Sequence, residues 1–128
     1  MGVNPQVIVI DDSESNLDVF CEFLQLQNID VVGKGKNGVD AIRLYQQHNP
    51  DVVLLDLAMP VYDGFFALKN ILAIDKNAKV IMITALQDKK NIQKSLELGA
   101  IDVLQKPFGL NHVTEIIYSL FKEKLIKV

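Results

Sequence analysis

Five short apolar runs alternate along the chain with segments in which apolar residues recur every three or four positions. The apolar runs predict β-strands at residues 7–10, 29–33, 52–56, 79–84 and 101–105. The segments between and after them predict helices that begin near residues 13, 37, 64, 87 and 111. This alternation predicts an α/β fold with a parallel sheet and helices on both faces.

The third run is apolar throughout, from residue 52 to residue 55, and leads directly into Asp56. A run without polar alternation suits a strand that is covered on both faces, as in a parallel sheet. Pro60 and the Asp63-Gly64 pair then end the strand. Because groups at the carboxyl ends of parallel strands line the ligand crevice, we expect the chemistry at Asp56.

The helices carry capping residues and apolar faces of their own. Ser13 or Ser15 is predicted to cap the first helix and Asn111 the last one. The fourth helix is predicted to span residues 87–98, to carry an apolar face with Ile92 and Leu96, and to stop at Gly99. Cys21 lies on the apolar stripe of the first helix, where a small buried side chain is favoured over a reactive thiol.

Polar residues that could do chemistry follow four of the five predicted strands. They are Asp11 and Asp12 after strand one, Asp56 at strand three, Thr84 at strand four and Lys106 after strand five. Strand two supplies only Gly33 at its end and Lys34 after it, which suits an outer position beside strand one. The resulting strand order, 2-1-3-4-5, brings the three carboxylates together between strands one and three.

Three carboxylates in one crevice repel each other unless a cation compensates their charge. Oxygen ligands without His or Cys favour Mg²⁺ over Zn²⁺, with Mn²⁺ as a possible substitute. Lys106 adds a fixed positive charge and Thr84 a hydroxyl donor, so we expect an anion between them. A phosphoryl group is the natural candidate, and Asp56 would accept it as an acyl phosphate.

The length and net charge of the chain limit its domain number and its classes of binding partner. The 128 residues suit a single domain, 1–128. The net charge of −3 and the pI near 5.3 do not favour direct binding to nucleic acid. Since the sequence has neither an apolar run of membrane-span length nor a signal-peptide pattern, we expect a cytoplasmic protein that does not bind a membrane.

Four motifs together resemble those of response-regulator receiver domains, the CheY-like partners of sensor histidine kinases in two-component signalling. They are Val9-Ile10-Asp11-Asp12, residues 55–64 with Asp56, Pro60, Asp63 and Gly64, Ile83-Thr84-Ala85, and Gln105-Lys106-Pro107-Phe108. The resemblance covers essentially the whole chain and implies a flavodoxin-like (βα)5 fold. No output domain follows within these residues, so we expect either a stand-alone regulator or a fragment of a longer one.

The resemblance implies a magnesium site and a phosphodonor. A sensor histidine kinase or a phosphotransfer protein would phosphorylate Asp56, and the chain would catalyse only its own phosphorylation and dephosphorylation. Asp12 would bind Mg²⁺ directly and Asp11 partly through water. The backbone carbonyl of Ala58 would be a further contact of the ion.

The resemblance also implies how the phosphoryl group is held and how the signal leaves the site. Thr84 and Lys106 would each contact a phosphoryl oxygen, and the Lys106-Pro107 bond would be cis. Phosphorylation would draw Thr84 inward and change the face formed by helix four, strand five and helix five, for a downstream protein that the sequence does not name. The protein would be a monomer or a phosphorylation-dependent dimer.

The chain departs from the family pattern at three positions. Val103 stands where many receivers have a Tyr or Phe that swings inward, so we expect the signal to travel through backbone movement after strand four. Ala58 and Leu86, two residues after Asp56 and Thr84, are apolar where the family can place polar groups that position water. We therefore expect slow self-dephosphorylation.

Three alternative functions are less favoured. A dinucleotide site is suggested by the glycines at 33, 35 and 38, which match G-x-G-x-x-G, but only three strands follow them. A phosphatase with an aspartyl-phosphate intermediate would want a second acid at position 58, which is Ala. The third alternative is a receiver-like interaction module that is never phosphorylated.

Overall fold

The computed structural model describes residues 3–60, 62–85 and 87–126. Within these residues, five strands alternate with five helices. In chain order they are β1 (Gln6–Ile10), α1 (Glu14–Leu26), β2 (Asp30–Gly35), α2 (Gly38–His48), β3 (Val52–Asp56), α3 (Gly64–Ile74), β4 (Val80–Ala85), α4 (Lys89–Glu97), β5 (Asp102–Lys106) and α5 (Leu110–Ile126). The strands form one parallel sheet in the order β2-β1-β3-β4-β5. The predicted α/β fold and strand order are confirmed.

Both faces of the sheet are covered by apolar side chains. Alternate residues of the central strands point to opposite faces, so Ile8 packs with the α2 and α3 side while Val7 and Val9 pack with the α1 and α5 side. All five residues of β3 are buried. The continuous apolar run before Asp56 therefore reflects a strand in the middle of a three-layer structure.

The register of the sheet brings the ends of four strands to one edge. Ile10 pairs with Leu55, so the residue after β1 lies beside the end of β3. On the other side of β3, Asp56 pairs with Ile83 of β4. Ala85 then pairs with Lys106, the last residue of β5. This carboxyl edge is where the sequence placed the chemistry.

Several predicted boundaries were wrong by one or two residues, and the predicted cap of the last helix differs. Helix α5 begins at Leu110, and the carbonyl of Gly109, not Asn111, accepts the first helical hydrogen bond, from Val113. Helix α4 begins at Lys89 with Asp88 as its N-cap, because Gln87 is left-handed with φ of 66° and cannot continue a helix. Strand β2 ends at Gly35, two residues later than predicted.

The inner face of α4 differs from the predicted one. Leu96 was expected on an apolar face, but it is 49% exposed. Ser95 is the buried residue of the helix instead, and Ile92 is half-buried. Helix α4 therefore packs on the sheet with a partly polar face.

None of the helices formed by the described residues is long and apolar enough to cross a membrane.

Candidate functional site

Asp56 is the buried last residue of β3, and only 6% of its side chain is exposed. The loop after it turns back at once, since the Leu57 amide donates to the Ile83 carbonyl and the Gly64 amide to the Leu57 carbonyl. A Cβ added at Gly64 would lie 2.7 Å from the carbonyl oxygen of Asp56. Gly64 therefore allows α3 to begin against the backbone of Asp56.

The three predicted carboxylates meet at this edge. One oxygen from each of Asp11, Asp12 and Asp56 lies within 4.8 Å of the others. Asp11 is held in place because its carboxylate accepts a hydrogen bond of 2.9 Å from the Ser13 amide. Two oxygens on opposite sides of Mg²⁺ are about 4.2 Å apart, since each Mg–O distance is about 2.1 Å. The separations in the cluster are close to this span, and its all-oxygen donor set is the kind that Mg²⁺ prefers.

Lys106 supplies a positive charge to the same cluster. Its Nζ lies 3.3 Å from Oδ2 of Asp56 and 3.8 Å from Oδ2 of Asp11. The ammonium group lies there because Lys106 is the last residue of β5, at the carboxyl edge of the sheet. The bond between Lys106 and Pro107 is cis. The side chain is 41% exposed, so it reaches the carboxylates from the solvent side.

Burial makes the charged form of Asp56 unfavourable. It raises the pKa of the carboxyl group from 3.8 to about 6, with Asp11 contributing in the same direction. The charge of Lys106 and the hydrogen bonds from Lys106 and the Ala58 amide act against this rise. A cation bound beside Asp56 would bring the pKa back toward its ordinary value and stabilise the charged carboxylate.

Thr84 lies at the same edge, but its hydroxyl has another partner. The side chain is buried, with 3% of the residue exposed, and Oγ1 donates to Oδ2 of Asp88 at 3.3 Å. The sequence placed Asp88 inside the predicted fourth helix, residues 87–98, and did not predict this contact. The signal was the spacing of an acidic residue four positions after Thr84 and directly before a helix.

The remaining predicted positions lie around the cluster. Ala58 is exposed, and the role of its carbonyl as a metal contact stays a prediction. Val103 is half-buried and packs against the apolar cluster on the α2–α3 face, and its part in signalling stays a prediction as well. Leu86, on which the expectation of slow dephosphorylation partly depends, lies outside the described residues.

The glycines of the G-x-G-x-x-G pattern are explained by packing. A Cβ at Gly33 would lie 2.9 Å from Leu44, and one at Gly38 would collide with the Tyr62 carbonyl. The amides that a pyrophosphate would need already have partners, since Gly38 donates to the Tyr62 carbonyl and Asp40 to the Asn37 side chain. The geometry therefore does not favour a dinucleotide at the start of α2.

An apolar groove of about 590 Å³ lies directly beside the cluster. Asp11 and Lys106 are among its lining residues, and the rest are mainly apolar, with Val19, Phe20 and Leu110 among them. Val19 is 66% exposed. The groove lies between α1 and the loop after β5 and shares Asp11 and Lys106 with the acidic cluster.

Comparisons with known proteins agree with this geometry. The model of the response regulator receiver domain family matches residues 7–118. The chain is 38% identical over 112 residues to Protein CcdB of Bacillus subtilis, an alignment that covers 88% of this chain and 93% of that protein. It is 33% identical over 112 residues to the chemotaxis protein CheY of the same organism, with coverage of 88% and 93%.

A solved structure shows the same fold. The crystal structure of the CheX–CheY–BeF3–Mg²⁺ complex from Borrelia burgdorferi matches with a TM-score of 0.86 and 32% identity, covering 94% of this chain and 91% of that one. The family match extends over most of the chain, and the similarity to these proteins is above 30% over nearly their whole length. This chain belongs to the response regulator receiver domains.

Proposed function

We propose that Asp56 accepts a phosphoryl group from a phosphohistidine of a sensor kinase or phosphotransfer protein in a Mg²⁺-dependent reaction. The observation that carries this proposal is a buried carboxylate between two further carboxylates and a lysine ammonium group. Phosphorylation would then switch the surface formed by α4, β5 and α5 for a downstream protein. The proposal includes a cytoplasmic location and a protein that is a monomer or a phosphorylation-dependent dimer.

The transfer needs one bond to form and one to break. An oxygen of the Asp56 carboxylate would form the new P–O bond while the P–N bond of the phosphohistidine breaks. The imidazole would leave with the bonding electron pair and take up a proton from solvent. No proton donor from this chain is required, which agrees with the apolar residue at Ala58.

The residues around Asp56 would stabilise the negative charge of the transferred group. Asp11, Asp12 and Asp56 would hold Mg²⁺, which would neutralise charge on the phosphoryl oxygens. Lys106 lies 3.3 Å from the accepting carboxylate, so a short movement would pair its ammonium group with a phosphoryl oxygen. Thr84 would be a further donor to the phosphoryl group once its hydroxyl turns toward the site.

The apolar groove beside the acidic cluster supports a protein as the phosphodonor. A side chain that is 6% exposed can be reached only by a group that projects into the crevice. The apolar groove beside Asp11 and Lys106 would hold the surface from which the histidine projects. We do not propose an enzyme that acts on other molecules, because Ala58 offers no acid to protonate a leaving alcohol.

Intact-protein mass spectrometry after incubation with acetyl phosphate and Mg²⁺ tests the proposal. The wild type should gain one phosphoryl mass, and the gain should disappear with EDTA or in Asp56→Asn. Asp63→Asn is the matched control, since Asp63 lies in the same loop and its replacement retains a side-chain oxygen to cap α3. A wild type without any gain, or a gain that persists in Asp56→Asn, would contradict the proposal.

A further inference from the structure

The buried hydroxyl of Thr84 has one proton to donate, and in this structure it donates that proton to Asp88. The contact of 3.3 Å connects the end of β4 to the N-cap of α4 across the β4–α4 loop. The loop is fixed at its middle because the Gln87 amide donates to Oε1 of Gln105 on β5. Thr84 therefore has a defined partner that lies outside the acidic cluster.

Asp88 is well supplied with hydrogen bonds even without Thr84. Its Oδ1 accepts from the Asn91 amide at 3.4 Å, and its Oδ2 accepts from the Asn91 side-chain amide at 2.5 Å. Thr84 and Asn91 thus donate to the same carboxylate oxygen. If Thr84 turned away, Asp88 would keep a donor on each oxygen and would still cap α4.

The hydrogen bonds continue along the inner face of α4. Ser95, which is fully buried, donates from Oγ to the Asn91 carbonyl at 2.7 Å. Asp88, Asn91 and Ser95 recur at helical spacing and share one side of the helix. This series of hydrogen bonds runs from Thr84 into the middle of α4. The other helices of the protein pack on the sheet with apolar side chains at the corresponding face.

We propose that Asp88 is a positioning residue that withholds the Thr84 hydroxyl from the site until Asp56 carries a phosphoryl group. Phosphorylation then exchanges the partners: the hydroxyl leaves Oδ2 of Asp88 and donates to a phosphoryl oxygen. The exchange removes the only side-chain bond that the described residues show between Thr84 and α4, and so couples the site to that helix. This inference rests on the proposed function of Asp56.

The serine variant of the cap separates this role from capping. Asp88→Ser retains a good N-cap for α4. It removes Oδ2, the atom that accepts from Thr84, and its shorter side chain leaves the remaining oxygen one bond closer to the helix backbone. Freed from its partner, the hydroxyl becomes available to the phosphoryl analogue. Beryllofluoride with Mg²⁺ is the probe, since a CheY relative that matches this chain carries BeF3 and Mg²⁺ in its crystal structure.

The affinity for beryllofluoride is measured by titration of the full chain at fixed Mg²⁺. In the wild type, the hydrogen bond from Thr84 to the charged Asp88 carboxylate competes with donation to beryllofluoride. Asp88→Ser lacks this bond and should therefore bind beryllofluoride more tightly by roughly two- to tenfold. Asp63→Ser makes the same change at the N-cap of α3, which does not contact Thr84, and should bind like the wild type. Hydrogen exchange at the Asn91 amide should be unchanged in Asp88→Ser, because the cap is retained.

The double variant tests whether the effect passes through Thr84. In Thr84→Val, which lacks the hydroxyl, adding Asp88→Ser should leave the affinity unchanged. An unchanged affinity in Asp88→Ser alone, with normal binding by the wild type, would overturn the role of Asp88 and leave the proposed function intact. An equal gain in the Thr84→Val background would overturn it too. Absence of binding by the wild type would overturn both proposals.

Discussion

Replacing Asp56 with Asn should make the metal-free protein more stable at neutral pH. The folded chain holds this carboxyl group in a buried position where its charged form is unfavourable, and burial raises its pKa from 3.8 to about 6. The asparagine side chain has nearly the same shape but does not ionise. The variant therefore lacks a charge that the wild type must keep inside the folded site.

The magnitude follows from the pKa. Because the pKa is higher in the folded protein than in the unfolded chain, the stabilising effect of the protonated group is complete below about pH 3.8 and is lost as the pH rises through about 6. At about 1.36 kcal/mol per pKa unit, a rise of this size corresponds to about 2–3 kcal/mol. The stability of Asp56→Asn relative to the wild type should increase by that amount between pH 4 and pH 7.5.

Urea denaturation in EDTA, followed by circular dichroism across this pH range, measures the difference. Asp63→Asn is the control because it changes an exposed carboxylate of the adjacent loop. Adding Mg²⁺ at pH 7.5 should stabilise the wild type more than Asp56→Asn, since the variant has lost one carboxylate ligand. A difference between Asp56→Asn and the wild type that does not change with pH would refute the reasoning.

Three further outcomes follow from contacts elsewhere in the fold. Tyr45→Phe removes the 2.8 Å hydrogen bond to Asp75 and should lower the free energy of unfolding by about 0.5–1.5 kcal/mol at pH 7. Since this bond lowers the pKa of Asp75, the difference should shrink in urea titrations as the pH falls below 3.8, and a constant difference would contradict the assignment. Gly38→Ala should destabilise the protein by about 1–3 kcal/mol through its collision with the Tyr62 carbonyl, and an unchanged thermal midpoint would show that the β3–α3 loop yields freely. Cys21 is buried, which raises the pKa of its thiol to about 11, so Ellman's reagent should label it only in denaturant, and rapid labelling of the native protein would disprove its burial.

The sequence predicted the sheet and the acidic cluster because both depend on short-range patterns. Each central strand is a continuous apolar run, and a parallel sheet brings the ends of such runs to one edge. The position of Asp56 beside Asp11 then follows from strand order alone. Lys106 could be assigned to the same edge for the same reason.

The β4–α4 region could not be predicted in the same way. The left-handed Gln87 ends the loop so that Asp88, and not an earlier residue, caps α4. That cap sets the rotation of the helix and turns Ser95 inward, whereas Leu96, about 100° further round, remains half exposed. Hydrophobic spacing alone favoured Leu96, since it contains no information on the bond between Thr84 and Asp88.

Chemical mapping of the phosphorylated residue tests the central claim most directly. Borohydride reduces an acyl phosphate on aspartate to homoserine, so the protein is treated with acetyl phosphate and Mg²⁺, reduced, digested and analysed by peptide mass spectrometry. Our account predicts homoserine at position 56 and at no other carboxylate. Homoserine at Asp11, Asp12 or Asp63, or its absence from a protein that has gained a phosphoryl mass, would contradict the account.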